Sequence, residues 1–409
     1  AKRLWGRPAG WLAAGIWVTT QGVQYLGSFA TYDAMSLMLI TVAAWMVVRF
    51  GSASRVPNAI YLAAPVMLLA NATKYASALY DLVVIALAYF VVAYFHAWRA
   101  ALRVSATLLS FMIIGITAGL ALAPPSYLAG ITSTTLTRPP STAPVSRVLF
   151  TSWTWVGCIA VLAVIALLSA VALHRRQLTD GQDPDRRRAT ALSGVLAVGA
   201  AAVLLAPLNQ ARIHTETSLS KHVTFGAWFA AMAAGWLFSN LIRRDGRNSW
   251  LRLSTAGVAV LAAGGALVPL GVAGKHQADR LDNEWSNSTL VVNALRPLVA
   301  HSTKPVLMDQ SEIPAYYLEN DLTLPNWVNT YYYAYTPPGT SDNLVGSAAY
   351  TAAVDNGEFS VIALDYGTQH KVDHAVQAAV HASGRYRWVG NYTSTDKFGR
   401  DTYVVWKLK

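Results

Sequence analysis

Residues 253–285 read LSTAGVAVLAAGGALVPLGVAGKHQADRLDNEW, and the change of character inside this stretch decides the fold. Up to Ala273 it is apolar; from Lys275 onward, acids, bases and amides follow in close order. Before this point, charges occur almost only in short breaks between apolar segments of membrane-spanning length, about 20 residues for a helix. After it, acids, tyrosines and short β-like runs take over. The sequence therefore reads as a polytopic α-helical membrane bundle over residues 1–274, followed by a soluble α/β domain over 275–409. That second part, roughly 135 residues, is ample for a hydrophobic core of its own.

The charge distribution supports the same division. The chain carries 32 Lys+Arg and 21 Asp+Glu, a net +11 that taken whole would suggest nucleic acid. Residues 1–274 hold 21 Lys+Arg against 7 Asp+Glu, a net +14, and residues 275–409 hold 11 against 14, a net −3. The positive excess thus sits in the loops of the membrane part, where a positive-inside bias puts it, and no nucleic-acid partner is expected. The single cysteine, Cys158, lies in an apolar helix, so no intramolecular disulfide is available and the soluble domain relies on its core. No cleavable signal peptide is expected, because the first apolar stretch lacks a small-residue cleavage site and further spans follow it.

Hydropathy suggests about nine spans, each near the length a bilayer requires, at 9–27, 34–48, 57–71, 78–95, 104–123, 150–173, 189–207, 223–242 and 253–273. Alternate breaks then fall on one side. One set holds 16 Lys and Arg, among them Lys2, Arg49, Arg99, Arg175 and Arg243; the other holds five, Lys74, Arg138, Arg147, Arg212 and Lys221. This asymmetry places the N-terminus in the cytoplasm of a plasma (inner) membrane protein, and an odd number of spans places the C-terminal domain outside the cell. The longest outer break, PPSYLAGITSTTLTRPPSTAPVSR at 124–147, is rich in proline, serine and threonine and reads as a flexible loop.

In the C-terminal part, KPVLMD (304–309) and FSVIALD (359–365) are short apolar runs each ending in an acid, as buried strands do before a loop. IPAYYLEN (313–320) and KVDHAVQAAVHASG (371–384) carry helical periodicity, the second with a glycine stop. YRWVGNYTS (386–394) and DTYVVWKLK (401–409) alternate across a polar turn and suggest a terminal hairpin. The tyrosines Tyr331, Tyr332, Tyr333 and Tyr335 form either a carbohydrate-facing loop or, the commoner use, amphipathic packing.

Three polar interruptions at the outer face could carry chemistry. In SFATYDAMSLMLI (28–40), Asp33 opens a span; it is either a functional carboxylate, with Tyr32 beside it, or a helix cap that accepts backbone N–H bonds. In LLANATKYASALYD (68–81), Lys74, followed by Tyr75, sits between apolar stretches; its ammonium suits a lipid-linked phosphate or simply reaches back to the interface. In NQARIHTETSLSKHVTFG (209–226), Arg212, His214, Glu216, Lys221 and His222 precede a span and together could hold a phosphate or pyrophosphate. His214 and His222 lack a third ligand at recognisable spacing, so no metal site is assigned. No P-loop, no dinucleotide-binding glycine pattern and no zinc-protease helix motif is present.

These three stretches, in this order, resemble the GT-C superfamily of membrane glycosyltransferases, and most closely the bacterial relatives of protein O-mannosyltransferases and of the lipid A aminoarabinose transferase. SFATYDAMSLMLITVAAW (28–45) is similar to the RFATLDALL-like opening of a span in that family. MLLANATKYASAL (67–79) looks like its G-L-x-x-L-T-K stretch, and SLSKHVTFGAWFAAMAAG (218–235) like the basic residue before a late span of small residues. The likeness covers most of the chain, and a C-terminal extracytoplasmic α/β domain is common in the family. The resemblance implies a polyprenyl-phosphate sugar donor at the outer leaflet and a glycan, lipid or protein acceptor in the cell envelope. It also implies a carboxylate that deprotonates the acceptor hydroxyl, attack at the anomeric carbon with inversion, and a positive cradle for the departing lipid phosphate. On that basis Asp33 is the candidate catalytic or supporting carboxylate, and Lys74, Arg138, Lys221 and His222 are the candidate phosphate cradle. No cofactor is implied, and assistance by a divalent metal stays open. In one respect the chain departs from the family, whose members open with a span and a large outer loop bearing an Asp or Asp-Glu pair. AKRLWGRPAGWLAAG (1–15) instead looks like the cytoplasmic approach to a later span, as in a shortened or divergent member, which puts catalytic competence in question.

Two other classes compete with this reading. A secondary transporter would use intramembrane charges, but no repeat relates the two halves and the charges gather at one face rather than at the midplane. A non-catalytic envelope receptor or assembly subunit would use the soluble domain to bind its partner.

Overall fold

Six of the apolar stretches become long helices. In the computed structural model, which describes residues 1–28, 31–135, 143–179, 185–216, 218–243, 264–265, 268–279, 287–367, 369–396 and 399–409, these six are long and apolar enough to cross a membrane. They are Tyr32–Gly51, Tyr75–Phe95, Trp98–Leu122, Val145–Arg175, Arg186–Arg212 and Leu219–Ile242. The chain divides into two units, Ala1–Leu281 and Asp282–Lys409, a few residues beyond the boundary read from composition.

The nine-span expectation is reduced to these six among the described residues, and sequence chemistry explains two of the three differences. The stretch 9–27 is broken into α2 (Arg7–Val18) and α3 (Gln21–Ser28). At the break, the Thr19 hydroxyl donates to the Gly15 and Ile16 carbonyls and the Thr20 hydroxyl to that of Trp17. Such side chains offer the backbone an alternative to the next helical turn. The stretch 57–71 starts on Pro57, runs as a 3-10 turn over Asn58–Leu62, and forms only the short α5 (Ala63–Thr73), with Pro65 in its first turn where no N–H is needed. The stretch 253–273 lies largely outside the described residues.

Within the first unit, α11 (Leu219–Arg243) is the central helix: 78% of its apolar window is buried, against 22% for α7 (Trp98–Leu122). Small residues let its neighbours approach. Gly226 sits against the Ala202 carbonyl and Val203 Cα of α10 (Arg186–Arg212), where a methyl group would collide with backbone. Gly199 of α10 faces the Phe229 carbonyl of α11, and Gly235 faces the Ala9 carbonyl of α2. Lipid supplies no hydrophobic drive between helices, so close backbone packing of this kind holds the bundle.

The second unit is an α/β domain built on a five-stranded mixed sheet, order β2-β1-β5-β7-β6. β1 (Val306–Met308) pairs parallel with β2 (Trp327–Val328) and with β5 (Val361–Leu364). β7 (Gly399–Leu408) pairs antiparallel with β5 and with β6 (Tyr386–Asp396), so the expected terminal hairpin is present. β1 and β5 are buried at every position, which explains why they read as unbroken apolar runs. Alternation along them serves two layers. Val306, Met308, Val361 and Ala363 pack with the helix Thr289–Val299 and with Ala315 of Glu312–Tyr317. Leu307, Ile362 and Leu364 pack with the helices Ser347–Asp355 and His370–Ser383. The last helix stops at Gly384, whose φ of 61° is the left-handed conformation that glycine tolerates. The tyrosine cluster divides: Tyr333 and Tyr335 stack within the domain, while Tyr331 and Tyr332 are exposed.

Candidate functional site

Thr31 begins α4 (Tyr32–Gly51) in extended conformation, φ −153° and ψ 146°. Its hydroxyl oxygen accepts from the Asp33 N–H at 3.4 Å and donates to Asp33 Oδ2 at 2.7 Å. Thr31 therefore fills the capping role, and the Asp33 carboxylate is left for another use. That carboxylate is fully buried, at 0% exposure. Lys221 Nζ approaches its Oδ2 at 3.6 Å, and His222 Nε2 approaches Oδ1 at 3.5 Å, both from the first turn of α11. At these lengths the contacts are electrostatic rather than good hydrogen bonds.

The imidazole lies between Asp33 and Gln210, and Tyr80 holds the backbone that carries it. His222 Nδ1 lies 2.8 Å from Gln210 Nε2 on α10; with the amide donating, Nδ1 accepts and Nε2–H faces Asp33. The Tyr80 hydroxyl donates to the His222 carbonyl at 3.2 Å, and the Tyr80 ring stacks on Phe225 and Phe229 of α11. Lys74 terminates α5 in extended conformation. Its ammonium lies 5.6 Å from the centre of the Tyr75 ring, within cation–π range, and close enough for its charge to act on Asp33. The Ser36 hydroxyl of α4 donates to the Ala70 carbonyl of α5 at 3.2 Å, which holds the end of α5 beside the start of α4.

Thus Asp33, Lys74, Lys221 and His222, widely separated in sequence, converge where α4, α5 and α11 have their polar ends. The remaining candidates do not join them. Glu216 pairs with Arg147 at 2.7 Å and accepts from Thr151 at 2.7 Å. His214, at a φ of 51°, contacts the Ala143 carbonyl through Nδ1 at 3.2 Å, and Arg212 is exposed and bonds Asn209. The polar stretch 209–226 therefore splits: His214 and Glu216 meet Ala143 and the start of α9 (Val145–Thr179), while Gln210, Lys221 and His222 serve Asp33. Tyr32 and Tyr75 are exposed, at 76% and 37%, and Arg138 lies outside the described residues.

Sequence reading passed over the polar partners that complete this region. Gln210 orients His222, and Asn71 donates to the buried carboxylate of Asp81, visible in the sequence as the charge beside Lys74, at 2.7 Å while Ser77 donates to Asn71 at 2.7 Å. The available signal was the presence of Asn, Ser and Gln inside apolar runs, because a buried polar group requires a partner.

Chemically, two ammonium groups oppose one enclosed carboxylate, so the cluster around Asp33 is net positive. Lys221 and His222 keep 18% and 19% side-chain exposure while Asp33 keeps none. An anion can therefore meet the cations but not the carboxylate. No protein-family model, no curated protein and no solved structure matches the chain.

Proposed function

We propose that this chain is a membrane glycosyltransferase of the GT-C kind, moving a sugar from a polyprenyl-phosphate donor to a cell-envelope acceptor at the outer face of the membrane. The observation that carries this reading is the convergence of Lys74, Lys221 and His222 on the buried Asp33 carboxylate at the polar ends of apolar helices. Expulsion of a lipid phosphate builds negative charge on the leaving group, and preorganised cations in a water-poor site stabilise it strongly. Lys221 and Lys74 are assigned to that phosphate. Asp33, having no exposed surface, is a positioning residue that holds Lys221 and the His222 ring in place.

The test is donor binding and transfer by the full chain in lipid nanodiscs, using a polyprenyl-phosphate sugar. A hydrogen bond to a charged group contributes about 1.5–3 kcal/mol, so Lys221→Ala and Lys74→Ala should each weaken donor binding by about 10- to 100-fold. Binding of the acceptor should change little. Unchanged donor binding in both variants would remove the phosphate cradle and, with it, the main support for glycosyl transfer.

A further inference from the structure

Asp309 directly follows β1, Asp365 directly follows β5, and Asp373 lies in the first turn of the helix His370–Ser383. One carboxylate oxygen from each lies within 4.8 Å of the others. The sheet topology explains why they meet. β1 leads through Glu312–Tyr317 on one face of the sheet to β2, and β2 leads through Ser347–Asp355 on the opposite face to β5, on the far side of β1. The carboxyl ends of β1 and β5 are therefore the point at which successive connections diverge, and in open α/β sheets that crevice is where ligands bind. The residues after the two strand acids, Gln310 and Tyr366, both have positive φ, 49° and 59°, so the chain turns sharply just past each carboxylate.

Two of the three acids are satisfied by the fold. Asp309 accepts from the Thr330 hydroxyl and from the Asp365 N–H at 2.8 Å; Asp365 accepts from Gln310 at 3.0 Å and from the Gly367 N–H at 2.7 Å. Asp373 is different. It is fully buried at 0% exposure, neither of its oxygens accepts from a donor group of the fold, and the Asp309 carboxyl faces it. Among the described residues, no Lys, Arg or His forms an ion pair with any of the three. Burial first, then the charges of Asp309 and Asp365, oppose ionisation of Asp373. A cavity of about 10 Å³, lined by Asp309, Asp365, Gln310, Thr330, Tyr331 and Gln369, has room for one water-sized occupant.

We propose that the C-terminal domain binds one hard divalent cation, Mg²⁺ or Ca²⁺, through Asp309, Asp365 and Asp373. The donor set is all oxygen, which suits these ions and not a soft metal. The Asp373 carboxylate, which no donor group of the fold satisfies, supplies a ligand that the fold does not otherwise use. This assignment is independent of the chemistry proposed for the membrane unit.

The experiment uses the full chain in nanodiscs, stripped with EDTA and titrated calorimetrically with MgCl₂ or CaCl₂ alone, with thermal unfolding followed in parallel. The wild type should bind one ion and unfold at higher temperature when it is present; the two salts show which ion is preferred. Asp373→Asn, nearly isosteric, should weaken binding by about tenfold or more, since it removes one charged ligand. In EDTA it should be about as stable as the wild type, because the amide keeps the shape of the carboxyl in the same buried position. Asp365→Asn, on the more accessible side, should weaken binding in the same way and decides the matter if Asp373→Asn does not fold. The proposal is overturned if neither salt binds up to about 10 mM, ten times the weakest range of extracellular calcium modules. It is also overturned if a folded Asp373→Asn or Asp365→Asn chain binds as the wild type does.

Discussion

Asp33 has no exposed surface, yet it faces a lysine and a histidine that do. A carboxylate so placed cannot meet a substrate directly, but it can decide where two cationic groups stand. Replacement by Asn keeps the shape and the bond to Thr31 while removing the charge. Asp33→Asn should therefore weaken polyprenyl-phosphate donor binding by about tenfold, the value of roughly one charged hydrogen bond. The stability loss should stay below the about 3–5 kcal/mol of breaking a fully buried pair, because Lys221 and His222 retain access to water. Donor titration and thermal unfolding of the full chain measure the two separately. Donor binding equal to wild type would return Asp33 to a purely structural part.

The supporting elements matter as much as the side chains. Lys221 and His222 stand at the start of α11, about one turn before Gly226, whose Cα rests on the backbone of α10. A methyl group there has nowhere to go, since what it meets is the Ala202 carbonyl and Val203 Cα rather than a movable side chain. Gly226→Ala should cost about 1–3 kcal/mol as overpacking does, and should weaken donor binding by shifting the end of the helix. Gly119→Ala in α7, where an added Cβ meets nothing within 4 Å, should leave both unchanged. Equal behaviour of the two variants in unfolding and donor titration would show that close approach of α10 and α11 does not set the site.

For the molecule as a whole, the open property is orientation in the membrane. Six long apolar helices are present among the described residues; the charge asymmetry of the connections places the Arg49, Arg99 and Arg175 ends inside, and the C-terminal domain lies outside when the apolar stretch 253–273 also crosses. In a Cys158→Ser background, a cysteine at Ser341 should react with an impermeant reagent in intact cells, and one at Asp180 only after lysis. The reverse pattern would turn the C-terminal domain to the cytoplasm and leave no outer-leaflet donor within reach of the Asp33 cluster.

Much of this architecture was legible in the sequence, and the reasons are local. Composition alone separates the two units, because a segment surrounded by lipid excludes charge over its whole length. β1, β5, the terminal hairpin and the Gly384 helix stop each follow from a pattern contained within a few residues. The broken helix at Thr19–Thr20 and the short α5 escaped the hydropathy reading, which averages over the polar and proline positions that interrupt them. By itself, then, the sequence determined which segments avoid water, which form strands, and which outer-face residues were worth weighing. Only the tertiary structure decided that Thr31 rather than Asp33 caps α4, that Lys221 and His222 leave Arg212, His214 and Glu216 to join Asp33, and that three aspartates meet at the ends of two parallel strands. The physical reason is range. Helix and strand preferences act between neighbours in the chain, whereas a buried charge is answered by whatever group the packing of distant elements brings within a few ångströms.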